Sequence, residues 1–223
     1  RRCSNIGIKA LILVKKLRPD VKIYLYGSDV DIKLDVEMEN LHIMPITKCN
    51  ELYNKCSVGV CMSSSNPSRI PFEMMAAGLP VVDLYRENNL YDIPDDGVLL
   101  ADTSPEAVAT AIIKLLDDEN LRNKLGKAGY EYMQKYPIER GFDEFLKFVN
   151  DMLNDVNVPD GNVTKIYKRE PVLPSQEVIN VMDAIKEVPI VPKDSSKFVR
   201  KLVVIKRYIR RKYASIIHKI FRV

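Results

Sequence analysis

Three short apolar runs recur through the middle of the chain: Ser57-Val58-Gly59-Val60-Cys61-Met62, Leu79-Pro80-Val81-Val82-Asp83-Leu84 and Gly97-Val98-Leu99-Leu100-Ala101. A strand that is apolar at successive positions, rather than alternate ones, is covered on both faces, as parallel strands packed between helices are. The segments between and around these runs carry helical signals. Ser4 to Leu17 spaces Ile8, Leu11, Ile12 and Val14 as a helix that Arg18-Pro19-Asp20 stops, and Ser104-Pro105-Glu106 combines an N-cap, a first-turn proline and a first-turn acid ahead of Ala107, Val108, Ala111, Ile112 and Leu115. Further helices are expected over about 118–135 and 139–154, and Ser68 to Gly78 reads as another, capped by Ser68 and ended by Gly78. Val21 to Tyr26 and Leu41 to Met44 read as two more strands, with a short helical link from Asn50 to Lys55. The alternation predicts an α/β chain with a doubly wound parallel sheet.

Other classes are excluded by composition. No run approaches the roughly 18 apolar residues of a membrane-spanning helix. Cys3, Cys49, Cys56 and Cys61 form no Cys-x-x-Cys pair, and His42 and His218 are the only histidines, so neither a metal site nor a disulfide framework is indicated. Reduced thiols in the cytosol are expected, which makes the Asn162-Val163-Thr164 sequon incidental. The chain opens on Arg1-Arg2-Cys3 with no leader pattern and reads as a piece of something longer.

The net charge of +4 hides an uneven distribution. From Lys193 to Val223 eleven Lys and Arg stand against one acid, Asp194, a net of +10, and the other 23 bases and 29 acids leave the rest at −6. Between body and tail, Pro159, Pro171, Pro174, Pro189 and Pro192 punctuate a polar stretch with one helical pattern, Gln176 to Lys186. Three parts are expected: a Rossmann-like body over residues 1–155, an extended connector over 156–196 and a basic amphipathic helix over 197–223.

In such a sheet ligands sit beyond the carboxyl ends of strands, where loops enter helices. Residues 63–73 occupy such a place. The free N–H groups of a helix starting near Arg69 favour a phosphate, Arg69 adds a full positive charge, and the Glu73 carboxylate, one turn further in, suits a ribose diol. Spacing alone equally allows a plain cap, a solvated base and a surface acid.

Ser68-Arg69-Ile70-Pro71-Phe72-Glu73-Met74-Met75-Ala76-Ala77-Gly78-Leu79-Pro80-Val81-Val82 resembles the donor-nucleotide motif of family 4-type glycosyltransferases with the two-Rossmann-domain GT-B fold, and residues 103–136 are similar to that family's usual continuation. Asn66-Pro67-Ser68 before Arg69, and Arg1-Arg2 before the first helix, look most like bacterial rhamnosyltransferases that build cell-surface polysaccharides. The resemblance implies that the body is the C-terminal, donor-binding half of the GT-B fold. Its Glu-x7-Glu pattern places the ribose-binding glutamate on Glu73 and the other acid on Ser65, and puts Ser65, Asn66, Ser68, Arg69 and Ile70 around the donor. Where the family often carries a lysine, Ile6 precedes Gly7, so the diphosphate falls to Arg1, Arg2 or Arg69. Pro45-Ile46-Thr47 is where the family packs the base, with Ile46 and Thr47 as its contacts; a plain turn fits as well.

The implied reaction moves a sugar, rhamnose from dTDP-rhamnose in this group, to a glycan or lipid-linked acceptor held by an N-terminal domain absent from this chain. Negative charge develops on the leaving diphosphate, where each fixed donor is worth on the order of 3 kcal/mol. No metal or other cofactor is implied, and the chain alone is expected to bind donor without transferring.

In the tail Phe198, Leu202, Ile205, Ile209, Tyr213, Ile216 and Ile220 form one helical stripe, with Lys206, Arg207, Arg210 and Arg211 on the remaining surface. A basic amphipathic helix suits an anionic membrane, here the inner face of the plasma membrane of a cytoplasmic protein; packing on a partner helix or a missing domain is the alternative. Tyr24, Tyr26, Tyr85 and Tyr91 read as packing, Arg86 to Asn89 as a surface loop with the border of the donor cleft as the alternative, and no nucleic-acid surface is indicated. Two other functions compete: a non-catalytic membrane-docking module that keeps the fold, supported by Ser65 in the acid position, and a nucleotide-sugar epimerase, whose acid and histidine set is not visible.

Overall fold

The computed structural model describes residues 3–29, 36–64, 68–154, 156 and 164–184, and the chain divides into two compact units. The smaller unit, over its described residues 22–29 and 36–43, is a parallel strand pair: β1 (Tyr24–Leu25) beside β2 (Glu39–Asn40), with Tyr24 opposite Glu39. The second strand lies earlier than the apolar run from Leu41 to Met44 suggests. Past the pair, Leu41 donates to the Leu25 carbonyl and Gly27 to the His42 carbonyl, each at 2.8 Å, and His42 turns to φ 55°, which breaks the extended backbone.

The larger unit holds a three-stranded parallel sheet in the order β3 (Gly59–Val60), β4 (Val81–Leu84), β5 (Val98–Ala101). Every residue of β4 and β5 is buried, so helices cover both faces. α1 (Ser4–Leu17) packs on α5 (Pro105–Asp117), which lies on β4 and β5, and α3 (Ile70–Ala76) lies on β3 and β4. α6 (Glu119–Met133) docks on α3. Ser104 caps α5 as its sequence predicts, its Oγ accepting the Ala107 N–H at 3.1 Å with Pro105 in the first turn.

Two short helices differ from expectation. α2 (Ile46–Tyr53) begins four residues before the expected Asn50, because Pro45, at φ −61° and ψ 151°, supplies an extended N-cap, and it ends at Asn54. α4 (Glu87–Asp92) replaces the surface loop expected over Arg86 to Asn89 and brings Leu90 and Ile93 into the core. α7 (Ile138–Leu153) has no buried residue.

Residues 164–175, within the stretch read as a connector, are extended but bound to the outer edge of β5. Val172 donates to the Leu100 carbonyl at 2.9 Å and accepts from Asp102 at 3.1 Å. The buried Tyr167 hydroxyl accepts the Leu100 N–H at 3.0 Å. α8 (Gln176–Ala184) follows and buries Val178 against α1 and α5. Arg18, at the end of α1, forms ion pairs with Asp117 of α5 and Glu177 of α8. The Arg18 guanidinium, hydrogen-bonded to Asp117, holds the pKa of that carboxyl below its ordinary value. Among the described residues no helix is long and apolar enough to cross a membrane.

Candidate functional site

β3, β4 and β5 run in the same direction, so α3, α4 and α5 all begin at one edge of the sheet, beyond the strands' carboxyl ends. α1 reaches the same edge. A Cβ on Gly7, in its first turns, would stand 3.1 Å from Cγ of Met62, two residues past β3, so a larger residue would require the Met62 side chain to give by a few tenths of an ångström. The N-terminus of α1 has no side-chain cap and no acid in its first turn, which leaves its partial positive charge uncompensated by side chains.

The loop after β3 enters α3 through Ser68 and Arg69. Arg69 itself is the N-cap, one residue later than expected, and Ser68 acts from just outside, its Oγ accepting the Ile70 N–H at 3.3 Å. Pro71 is buried in the first turn and needs no helical N–H partner there. At the other end Gly78, at φ +73°, closes the helix as predicted, donating to the Met75 carbonyl at 2.8 Å while Leu79 reaches the Met74 carbonyl at 2.9 Å. The Arg69 side chain is exposed and that of Glu73 half-buried. Tyr53, at the end of α2, directs its hydroxyl to Glu73 Oε2 at a loose 3.5 Å.

Ser68, Arg69, Ile70 and Glu73 are thus brought together at the start of α3, beside the loop that α1 approaches. Ile46 and Thr47 stand at the opposite end of α2 from Tyr53, about 10 Å away along its axis at 1.5 Å per residue. Ile46 is 75% exposed. Ser65 and Asn66 in the loop, Arg1 and Arg2 ahead of α1, and Lys206, Arg207, Arg210 and Arg211 in the tail lie outside the described residues. Among the described residues no three His, Cys, Asp or Glu side chains gather as a metal site.

Asp83 was not singled out from sequence, whereas Ser63 and Asn89 fell at the ends of loop segments noted for following strands. Asp83 and Asn89 are 0% exposed and Ser63 3%. Asp83 Oδ1 accepts the N–H groups of Ser63 and Leu84, each at 2.7 Å. Burial pushes the Asp83 pKa up, against the opposing pull of its hydrogen bonds, and among the described residues Oδ2 meets no hydrogen-bond partner. A charged residue inside the run Val81-Val82-Asp83-Leu84 was the available signal for Asp83, and the place of Arg86 to Asn89 after a strand's carboxyl end was the signal for Asn89.

Comparison with known proteins places these features. Residues 1–113 match the family described as WsaF, C-terminal domain. The O-antigen biosynthesis protein RfbC of Myxococcus xanthus is 29% identical over 153 residues, covering 66% of this chain and 12% of that protein. Sucrose-phosphate synthase from Thermosynechococcus elongatus superimposes with a TM-score of 0.57 at 21% identity, over 67% of this chain and 43% of that one. A mutant of S. aureus TarM, solved in complex with Fondaparinux, alpha-GlcNAc-glycerol and UDP, gives 0.54 at 18% identity, over 66% of this chain and 32% of its own. The fold is that of a GT-B Rossmann-like domain of the C-terminal type, and the chain spans a small part of RfbC and less than half of these two solved neighbours.

Proposed function

The chain belongs to the WsaF C-terminal domain family, and from that membership we propose that it is the nucleotide-sugar-binding half of a glycosyltransferase that builds cell-surface polysaccharide. The observation that carries this reading is the meeting of the uncapped α1 N-terminus, the loop after β3 and the Ser68 to Glu73 segment at one edge of the sheet. Glu73 is the acceptor for the ribose hydroxyls. Arg69, with Arg1 and Arg2 and the N–H groups of α1, meets the diphosphate, whose charge grows as the sugar departs. Ser68 and Ile70 contribute main-chain contacts, Ser65 and Asn66 face the sugar, and Ile46 and Thr47 pack the base. This arrangement calls on protein cations rather than a metal to stabilise the leaving group.

Similarity to an O-antigen biosynthesis protein supports the polysaccharide product, and the Asn66-Pro67-Ser68-Arg69 and Arg1-Arg2 patterns favour dTDP-rhamnose as donor. The acceptor, a glycan or lipid-linked saccharide, belongs to a second domain, so this chain is expected to bind without transferring. The basic stripe of residues 197–223 suits docking on an anionic inner membrane face.

Calorimetric titration with dTDP, UDP and GDP sugars tests the site. Glu73→Ala and Arg69→Ala should each weaken the preferred donor by at least tenfold, the loss expected when a hydrogen bond to a charged group is removed. Parent-like binding by both variants would remove the assignment.

A further inference from the structure

Where β3 ends, its hydrogen bonding to β4 passes from main chain to side chains. Gly59 and Cys61 donate their N–H groups to the carbonyls of Pro80 and Val82, each at 2.9 Å, and a regular parallel ladder would next give the Ser63 N–H to the Leu84 carbonyl. The Ser63 N–H goes instead to Asp83 Oδ1, which also accepts the Leu84 N–H. The Leu84 carbonyl is taken by the Asn89 amide at 2.7 Å, and the same amide reaches the Ser63 carbonyl at 3.4 Å. Two buried side chains therefore replace one rung of the ladder, and the strands part at Ser63, where the loop toward α3 begins.

Packing does not require this arrangement. The neighbours of Asp83 in β4 are valine and leucine, and an aliphatic side chain would fill the position without burying a carboxyl group. What the carboxyl and carboxamide add is direction: one holds an N–H and the other a carbonyl of the same residue, Ser63, and both are anchored to Leu84. An unclamped Ser63 would either return to the ladder or swing into solvent, and each alternative moves the start of the loop.

We propose that Asp83 and Asn89 form a strand-end clamp that fixes Ser63, where the chain leaves β3 at the edge that also carries Ser68, Arg69 and Glu73, for binding the nucleotide sugar. The proposal rests on the donor-site reading of that segment. Asp83 and Asn89 are positioning residues, acting through Ser63 rather than on the ligand.

The test combines amide hydrogen exchange with donor titration on the chain and three variants. Asp83→Asn keeps the Oδ1 acceptor, Asp83→Leu removes it with the same side-chain branching, and Asn89→Ala removes the donor to the two carbonyls. Asp83→Leu and Asn89→Ala should speed exchange of the Ser63 and Ser64 amides at least tenfold, with the β5 amides unchanged, and weaken donor binding by about tenfold. Asp83→Asn should match the parent in both measurements. Parent-like loop exchange in both loosening variants would overturn the clamp, as would an Asp83→Asn variant that fails as Asp83→Leu does. Should Asp83→Leu not fold, Asn89→Ala and Asp83→Asn decide by the same criteria. Absence of donor binding by the parent would count against the donor reading, while the exchange rates would still judge the clamp.

Discussion

Asp83 is buried without a cationic partner among its recorded contacts, and burial is the main influence on its acidity. Raising a carboxyl's pKa means that the fold prefers the neutral form. Its contribution is therefore fully present below the ordinary carboxylate range and is lost as pH rises through that range to the raised value. Stability of the parent should decline between pH 4 and pH 7 more than that of Asp83→Asn, measured by urea unfolding at both pH values; equal slopes would place an ionised carboxylate in the core. Tyr167 offers a second residue-scale check. Its hydroxyl is the acceptor for the Leu100 N–H, so Tyr167→Phe should cost about 1–3 kcal/mol, the penalty of a buried donor left unmet. That Arg69 and Glu73 stand at the start of a helix was legible from sequence because Ser68 and Gly78 bracket it. The roles of Asp83, Asn89 and Tyr53 were not, because their significance lies in which distant main-chain or side-chain atom each one meets, and periodicity carries no such information.

Helices were the most legible elements. α1, α5, α6 and α7 follow their apolar spacing and capping residues to within a residue or two, since those signals are local. β2 and α2 were misplaced because a left-handed His42 and an extended Pro45 override the hydrophobic pattern of Leu41 to Met44. α4 was missed because six residues are too few for a period to show. The contact of α6 with the turn after α3 also escaped detection, although it imposes a strict requirement: a Cβ on Gly126 would overlap the Gly78 carbonyl oxygen. Gly126→Ala should lower stability by about 1–3 kcal/mol, read from thermal or denaturant unfolding. By contrast, Phe142 of α7 is 60% exposed, and Phe142→Ser should change the stability of this chain by less than about 0.5 kcal/mol. A large loss there would mean that α7 is covered.

On the scale of the whole molecule, alternating buried strands and helices announced a parallel α/β body, and both sheets are parallel. The prolines between residues 156 and 196 suggested a connector, but residues 164–184 complete the larger unit, satisfying the outer edge of β5 and joining α1, α5 and α8 through Arg18. Sequence composition registers the extended backbone and not the edge it pairs with. Family membership fixes the kind of domain, and its central claim is a nucleotide-sugar site at the start of α3. That claim is tested most directly by mapping amide chemical shifts of the chain during addition of dTDP and then UDP. The account predicts saturable shifts confined to the Ser68 to Glu73 segment, the first turns of α1 around Gly7 and the start of α2 at Ile46 and Thr47. Saturable shifts centred elsewhere, or none for either nucleotide, would contradict it.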